Sequence, residues 1–289
     1  MTFKQMNISE PVCRALLEKN YSTPTLIQEQ AIPEALTGRD LLGLAQTGTG
    51  KTAAFAIPII EQLLADPTSQ QKGAPRKIRA LILTPTRELA IQIDESLADY
   101  TRYTTLRHTV IFGGVKQKSQ TDELRAGTDI LTATPGRLLD LMSQGFIRLD
   151  HVRHFVLDEA DRMLDMGFYD DIMQIVKFLP KERQTIMFSA TMPAKIQQLA
   201  QNILHNPAEV KLAVSKPAEK IVQAAYICYE NQKLGIIRSL FAEQTPERVI
   251  IFASSKLKVK EVAKALKQMK LNVGEMHSDL EQAQRCLLY

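Results

Sequence analysis

The stretch DLLGLAQTGTGKTAAFAIPIIEQLL, residues 40–64, decides the fold of this chain. An apolar strand pattern at 40–44 leads directly into the glycine-rich segment 45–52, and a helical pattern follows at 51–64. Glycines let successive backbone N–H groups turn toward one anion, and the start of the helix adds positive partial charge. The sequence therefore predicts a loop that binds the phosphates of a nucleoside triphosphate.

Two side chains of this loop are expected to contact the phosphates and the metal ion bound to them. Lys51 is expected to reach the β and γ phosphates, and the Thr52 hydroxyl to bind Mg²⁺. The general pattern has glycine where this chain has Ala45, so a glycine-rich turn without a ligand is the alternative. The Lys-Thr pair between strand and helix favours the phosphate site, whose predicted nucleotide-binding residues are Ala45, Gln46, Thr47, Gly48, Thr49, Gly50, Lys51 and Thr52.

Short apolar runs alternate with amphipathic stretches through the first two thirds of the chain, which predicts βαβ units. The runs are rich in Val, Ile and Leu throughout, as in strands covered on both faces. Segment 68–79 is polar, with Gly and Pro, and is expected to be a surface loop. The predicted fold class is α/β, a parallel sheet flanked by helices, with strands at 40–44, 80–84, 108–112, 129–133, 154–157 and 185–188.

The alternation pauses near residue 205 and then restarts. Two prolines and few helical repeats predict a linker at 209–221, between a first domain at 1–208 and a second at 222–289. The second stretch is short for a domain, so it is expected to be incomplete. Its predicted elements are strands at 222–229, 248–252 and 272–276 and helices from Gln232 onward and at 257–269.

Composition and cysteine usage exclude several classes of protein. Hydrophobic residues make up 45% and charged residues 24%, as in globular chains, which argues against disorder. The first ten residues lack the apolar core of a signal peptide, and no apolar run approaches the roughly 20 residues of a membrane span. Cys13, Cys228 and Cys286 are far apart and show no zinc or disulfide spacing. We therefore expect a soluble, cytoplasmic protein without a membrane partner.

The net charge of +4 is too small by itself to indicate a nucleic-acid partner. The basic excess lies in the last third of the chain. A solvated helix face is the ordinary interpretation of such a run, and a nucleic-acid surface is the alternative. The run consists of Lys256, Lys258, Lys260, Lys264, Lys267 and Lys270.

Acidic residues follow the predicted strand at 154–157 directly. A phosphate-binding loop needs a second Mg²⁺ ligand, and Asp158 is placed to provide it. Glu159 is the candidate for orienting and deprotonating an attacking water. The alternative is that these acids, which include Asp161, only cap the helix that begins there.

Six motifs follow one another along the chain: AQTGTGKT at 45–52, PTREL at 85–89, a glycine pair at 113–114, TPGR at 134–137, DEAD at 158–161 and SAT at 189–191. With them the chain resembles the DEAD-box ATP-dependent RNA helicases of superfamily 2, whose form of the phosphate loop includes Ala45. Upstream residues resemble that family's adenine-recognising Q motif: Phe3, Tyr21, Pro24, Thr25, Ile27 and Gln28.

The resemblance implies an RNA-stimulated hydrolysis of ATP, with Mg²⁺, that drives local unwinding of short RNA duplexes. It implies catalytic roles for Lys51, Asp158 and Glu159, and adenine recognition by Tyr21, Thr25 and Gln28. Asp161, Ser189 and Thr191 are implied to couple nucleotide state to RNA binding. The implied contacts to the RNA backbone, with little base preference, come from Pro85, Thr86, Arg87, Gly113, Gly114, Thr134, Pro135, Gly136 and Arg137.

The resemblance also implies two RecA-like domains, the first with the phosphate loop. The segments at 249–252 and 277–279 resemble the start of the second, but its later arginine-finger motif and further RNA-binding motif do not occur in the 289 residues. We therefore expect a chain truncated within its second RecA-like domain that binds ATP and hydrolyses it poorly, because an arginine finger contributes about 10³ to 10⁵ in rate. The alternative function is a nucleotide-dependent RNA clamp or interaction module without turnover.

Overall fold

The structure is a computed structural model, and it describes residues 2–66, 76–212, 222, 224–243 and 247–280. The chain forms two compact units, Met1–Lys216 and Pro217–Tyr289, and each is described by itself.

The first unit is built on a parallel sheet of seven strands in the order β3-β4-β2-β5-β6-β1-β7. Because every pairing is parallel, the carboxyl ends of all seven strands lie along one edge. The strands are β1 (Leu41–Leu44), β2 (Ala80–Leu83), β3 (His108–Ile111), β4 (Ile130–Ala133), β5 (His154–Leu157), β6 (Gln184–Ser189) and β7 (Ala208–Lys211).

Helices connect the strands and cover both faces of the sheet. Alternate residues of one strand enter different cores: Ile82 packs with the helices that include Phe55, and Leu83 packs with those that include Leu138. This two-sided burial is why the strands read as continuous apolar runs. The helices are α1 (Glu10–Glu18), α2 (Leu26–Leu36), α3 (Lys51–Ala65), α4 (Arg87–Tyr100), α5 (Gln117–Ala126), α6 (Pro135–Ser143), α7 (Ala160–Asp165), α8 (Tyr169–Lys177) and α9 (Ala194–Ile203).

The predicted α/β class, a parallel sheet flanked by helices, is confirmed, and all six predicted strands of the first unit are present. The seventh strand, β7, was not predicted and lies where the sequence suggested the start of a linker. Its residues pair with β1, Leu41 with Ala208, so the sheet continues past residue 208. The sequence signal is weak because only Val210 of this edge strand is buried.

The second unit contains a short 3₁₀ turn (Glu230–Gln232) and the helices α10 (Lys233–Glu243) and α11 (Lys256–Gln268), where the sequence predicted helices. The three strands predicted there are wrong for the described residues of 222–229, 248–252 and 272–276, none of which is in a strand. A parallel strand needs neighbouring backbone partners, and the described part of this unit supplies no such ladder. The apolar side chains remain exposed, Phe252 at 92%.

The predicted loop at 68–79 lies partly outside the described residues; 76–79 are in neither helix nor strand. None of the helices in the described ranges combines the length and apolar character needed to cross a membrane.

A buried ion-pair network joins the amino ends of β2 and β4. Arg79 Nη2 is 2.9 Å from Asp129 Oδ1 and Arg79 Nη1 is 3.7 Å from Asp66 Oδ2. Asp129 also pairs with Arg76 and accepts the backbone N–H of Arg107 at 2.9 Å. Every charge of this network has a partner, so the network holds the ends of two central strands together.

We expect Asp129→Ala to lower the free energy of unfolding by about 3 to 5 kcal/mol, because it leaves the Arg79 guanidinium buried without its closest carboxylate. Urea denaturation measures this loss. The matched control is Asp150→Ala, which breaks the exposed pair with Arg148 and should cost less than about 1 kcal/mol. Equal losses in both variants would contradict a structural role for the network.

Candidate functional site

Strand order assembles the candidate site from loops that are far apart in sequence. The neighbouring strands β5, β6 and β1 are followed by the DEAD, SAT and AQTGTGKT motifs. The neighbouring strands β3, β4 and β2 are followed by the glycine pair, TPGR and PTREL. The carboxyl edge therefore has two adjacent halves, one with the predicted nucleotide residues and one with the predicted RNA residues.

The phosphate loop is shaped by glycine and by the neighbouring strand β6. Gly50 has φ 95°, in the left-handed region, and the next residue, Lys51, begins α3. The loop is held at its start, where Ala45 N–H donates to Ser189 O at 3.1 Å. Within it, Thr49 Oγ1 donates to Gln46 O at 2.8 Å. Gly48 also has a positive φ, so the predicted curl of the backbone is present.

Two opposite charges are buried at this edge, and each has a polar atom without a hydrogen bond. Lys51 and Asp158 are 7% and 5% exposed, and Lys51 Nζ and Asp158 Oδ1 make no hydrogen bond within the described residues. Buried polar atoms are almost always satisfied, and a buried charge without a partner is costly. An ammonium and a carboxylate so placed fit a ligand with both anionic oxygens and a cation, such as a magnesium–phosphate group.

Burial raises the pKa of Asp158 to about 6 from its ordinary 3.8. The charge of Lys51 opposes this shift, and the neighbouring Glu159 adds to it. A cation near Asp158 would favour the ionised form and reverse the cost. The described residues contain no group of three or more His, Cys, Asp or Glu arranged to hold a metal.

Glu159 has an unusual backbone conformation. Its φ of 54° and ψ of 50° are left-handed, which is uncommon for a residue other than glycine and is typical of functional sites. Its carboxylate is nearly buried and pairs with Arg162, Oε2 to Nη1, at 3.2 Å. Glu159 is the residue before α7, as expected for an acid that caps this helix. Its side chain nevertheless makes no hydrogen bond that caps the helix.

The three predicted coupling residues are in direct contact. Asp161 Oδ2 accepts both Thr191 Oγ1, at 2.9 Å, and Thr191 N–H, at 3.0 Å. Ser189 Oγ donates to Thr191 O at 2.7 Å. Because Ser189 O also accepts the N–H of Ala45, a continuous hydrogen-bonded chain joins the loops after β5, β6 and β1.

Thr25 and Gln28 lie against the phosphate loop. Thr25 Oγ1 donates to Thr49 O at 2.8 Å, and Gln28 Nε2 donates to Gly50 O at 3.0 Å. Gln28 Oε1 accepts Thr25 N–H at 3.0 Å as part of the cap of α2. A Cβ at Gly50 would lie 2.5 Å from Gln28 Nε2, at the end of a flexible side chain, so the left-handed backbone is the stronger reason for glycine there. Both polar atoms of the Gln28 amide are therefore used within the protein.

The structure also places Tyr21 and Phe3, the two aromatic residues of the segment that resembles the Q motif. Tyr21 lines a groove beside α4, with Lys19, Asp99 and Tyr100 among its neighbours. Phe3 is buried in the core cluster that includes α3. Stacking of Tyr21 on adenine stays a prediction.

In the other half, the predicted residues shape three loops. Thr86 caps α4, accepting Leu89 N–H at 3.3 Å, and Pro85 is buried. The Arg87 guanidinium lies over the Phe112 ring at 5.7 Å and close to Gly114. Thr134 precedes α6, whose first two residues are Pro135 and Gly136. The N–H of Thr134 donates to Ile111 O at 3.2 Å.

Arg137 is braced within the protein. Its side chain is only 11% exposed, and it donates to Gln120 Oε1 at 3.3 Å and to Val115 O at 3.2 Å. The sequence does not predict a role at the site for Gln120 or for Arg162, the partner of Glu159. Neither has a sequence signal beyond a polar residue on a helix, because their importance comes from contacts across loops.

The family model of the DEAD/DEAH box helicases matches residues 25–199. The ATP-dependent RNA helicase CshA of Limosilactobacillus reuteri is 38% identical over 286 residues, 99% of this chain and 56% of that protein. The DEAD-box ATP-dependent RNA helicase RhpA of Helicobacter pylori is 38% identical over 285 residues, 98% and 56% of the two chains. The chain thus spans about half the length of these curated relatives.

Among solved structures, the crystal structure of a DEAD box protein from the hyperthermophile Methanococcus jannaschii is similar, with a TM-score of 0.67 and 33% sequence identity. The match covers 100% of this chain and 76% of that one.

We expect Asp158→Asn to make the ligand-free protein more stable at neutral pH. Between about pH 4 and about pH 6 the folded protein keeps a proton on Asp158 that the unfolded chain releases, so ionisation lowers the free energy of unfolding as pH rises. Two pKa units correspond to about 3 kcal/mol. Urea denaturation without nucleotide or Mg²⁺ measures the difference between variant and wild type.

That difference should be present above about pH 6 and vanish below about pH 4. Asp165→Asn, the same change at an exposed position of α7, is the control. A stabilisation by Asp158→Asn that is independent of pH would contradict the assigned cause.

Proposed function

Because the chain belongs to the DEAD/DEAH box helicase family, we propose that it provides the nucleotide site and part of the RNA surface of an ATP-dependent RNA helicase. In this proposal RNA binding stimulates ATP hydrolysis, and the cycle separates short RNA duplexes locally. The observation that carries it is the buried, unpartnered pair Lys51 Nζ and Asp158 Oδ1 at the carboxyl edge of the sheet. Both atoms need a ligand of opposite charge, and a magnesium nucleotide supplies the two kinds at once.

In the nucleotide half, Lys51 binds the β and γ phosphates with the N–H groups of residues 45–50. Thr52 and Asp158 would hold Mg²⁺, which would neutralise charge on the phosphate oxygens. Thr25 and Gln28 set the adenine side of the site and Tyr21 stacks on the base. Gln28 is in contact with Gly50, so adenine recognition and loop conformation share one side chain.

Glu159 is the group that orients the attacking water and accepts its proton. Glu159 directly follows Asp158 and has a left-handed backbone. Arg162 pairs with one oxygen of its carboxylate. Asp161, Thr191 and Ser189 connect this region to the phosphate loop through the hydrogen-bonded chain. That chain supports a coupling role for these three residues.

In the RNA half, the glycines supply the best support. Gly113 and Gly136 have ordinary φ values, and a Cβ at either would meet nothing within 4 Å. Neither backbone conformation nor packing therefore requires glycine there, which leaves close approach of an external group such as a sugar–phosphate backbone. With Arg87, Gly114, Thr86 and Thr134 beside them, these loops suit phosphate and sugar oxygens, which give little base preference.

A nucleotide-dependent RNA clamp without turnover is the second candidate, because Lys51 and Asp158 would bind a magnesium nucleotide whether or not it is then hydrolysed. The proposal includes the cytoplasmic, reducing environment expected from the scattered cysteines.

The test is ATP turnover by this chain with and without a short polyuridine strand. We expect weak but RNA-stimulated hydrolysis in wild type and a loss of about 10² to 10⁴ in Glu159→Gln, which cannot accept the proton. Both proteins should bind a fluorescent ATP analogue equally. Lys51→Ala, which removes the charge facing the phosphates, should weaken analogue binding about tenfold or more.

These results separate the candidates. Turnover by Glu159→Gln equal to a measurable wild-type rate removes Glu159 from the catalytic role. Tight binding of analogue and RNA with no turnover in either protein supports the clamp. Wild-type affinity in Lys51→Ala would overturn the nucleotide site itself.

A second prediction concerns base recognition. Gln28→Ala removes an amide that can pair with adenine and also the donor to Gly50 O, so we expect weaker ATP binding and a reduced preference for ATP over GTP. The control, Gln62→Ala, removes a glutamine on α3 that donates to Ala35 O, away from the phosphate loop. Competition of ATP and GTP against the fluorescent analogue measures the preference. Weaker binding with an unchanged ATP:GTP ratio would leave Gln28 as a support of the loop only.

A further inference from the structure

Gln120 of α5 clamps the backbone at the end of the edge strand β3. Phe112 N–H donates to Gln120 Oε1 at 3.1 Å, and Gln120 Nε2 donates to Phe112 O at 3.1 Å. The side chain is 5% exposed. The amide oxygen and nitrogen of Gln120 therefore bond to the N–H and the C=O of the same residue, Phe112.

Strand geometry explains why a side chain is needed there. Ile111 O accepts Thr134 N–H from the β4 side, so the N–H and C=O of the next residue, Phe112, point the opposite way. β3 is at the edge of the sheet, and no strand among the described residues lies on that side. The Gln120 amide replaces the missing neighbour and extends the ordered backbone to the residue before Gly113.

The same amide connects this loop to the loop after β4. Arg137 Nη1 donates to Gln120 Oε1 at 3.3 Å, and Arg137 Nη2 donates to Val115 O at 3.2 Å, beyond the glycine pair. The segment from Phe112 to Val115 is thus held at both ends, by Gln120 and Arg137. Fixing Phe112 also fixes the ring beneath the Arg87 guanidinium.

We propose that Gln120 is a positioning residue for RNA-backbone binding, which holds the Phe112–Val115 loop and Arg137 in one arrangement. This inference rests on the proposed function. Gln120 is buried and does not itself touch RNA; it acts by keeping Gly113, Gly114 and Arg87 in place. Its loss lets the glycine loop sample other conformations, and binding then includes the cost of ordering the loop.

The experiment compares Gln120→Met with Gln117→Met, the same change three residues earlier on α5. Gln117 pairs with Gln144 at the end of α6, and in the described part of the chain it makes no hydrogen bond with Phe112, so it is the matched control. Anisotropy of a fluorescein-labelled polyuridine strand, with a non-hydrolysable ATP analogue present, gives RNA affinity. We expect affinity about tenfold weaker in Gln120→Met, as for one lost buried hydrogen-bonded group, and within twofold of wild type in Gln117→Met.

Three readouts separate positioning from direct contact and from general damage. Binding of the ATP analogue should be unchanged, because the phosphate loop follows a different strand. Hydrogen exchange at the Phe112 amide should be faster. The salt dependence of RNA binding should keep its wild-type slope in Gln120→Met, whereas Arg87→Ala, which removes a cation, should flatten the slope by about one phosphate contact.

RNA binding by Gln120→Met equal to wild type overturns the inference and leaves the proposed function intact. Loss of analogue binding in that variant would mean general damage, and Gln120→Glu then decides. That variant keeps the acceptor for Phe112 N–H but loses the donor to Phe112 O, so weaker RNA binding with normal analogue binding is expected, and normal RNA binding overturns the inference. Failure of wild type to bind RNA overturns the proposed function and this role of Gln120 with it.

Discussion

The buried charges of Lys51 and Asp158 are the constraint on which the rest of the first unit depends. Lys51 Nζ and Asp158 Oδ1 make no hydrogen bond among the described residues, and the attraction between the two charges offsets the burial of Asp158 only in part, because its pKa remains raised. The left-handed backbone at Glu159 adds strain beside them. The buried charges and the strained backbone at the carboxyl edge lower the free energy of unfolding, so other interactions in the unit have to offset them. At the amino edge, by contrast, the buried charges of Arg79, Asp66 and Asp129 are paired and hydrogen-bonded.

The order of the strands determines how the site is divided. Placing β6 between β5 and β1 lets Ser189 contact both the phosphate loop and the residue that binds Asp161. The hydrogen-bonded chain follows from this adjacency and not from sequence proximity. A change in the conformation of the phosphate loop would act on Ser189 directly, so the hydrogen-bonded chain is a physical link between that loop and Asp161 within the nucleotide half of the edge.

How far the sequence predicts the structure depends on how local each signal is. The phosphate loop and the acids after β5 are readable because residue type and spacing within one segment carry the chemistry. The edge strand β7 is not readable, since one buried valine gives no alternation, and the strands predicted in the second unit are absent from its described residues because apolar runs alone provide no backbone partners. Gln120 is invisible in sequence for a related reason: its contact is with Phe112, on the other side of a glycine loop.

Arg87 and Arg137 illustrate the same limit at the level of single side chains. Both follow a strand end, both belong to a family motif, and in sequence they predict the same contact with a phosphate. In the structure Arg87 lies against an aromatic face beside Gly114, while Arg137 is nearly buried and donates to Gln120 and to Val115 O. Loss of Arg137 would therefore free the backbone between Phe112 and Val115 as well as remove a charge. Two arginines with one sequence signal thus have different surroundings, an aromatic ring for Arg87 and two loop oxygens for Arg137.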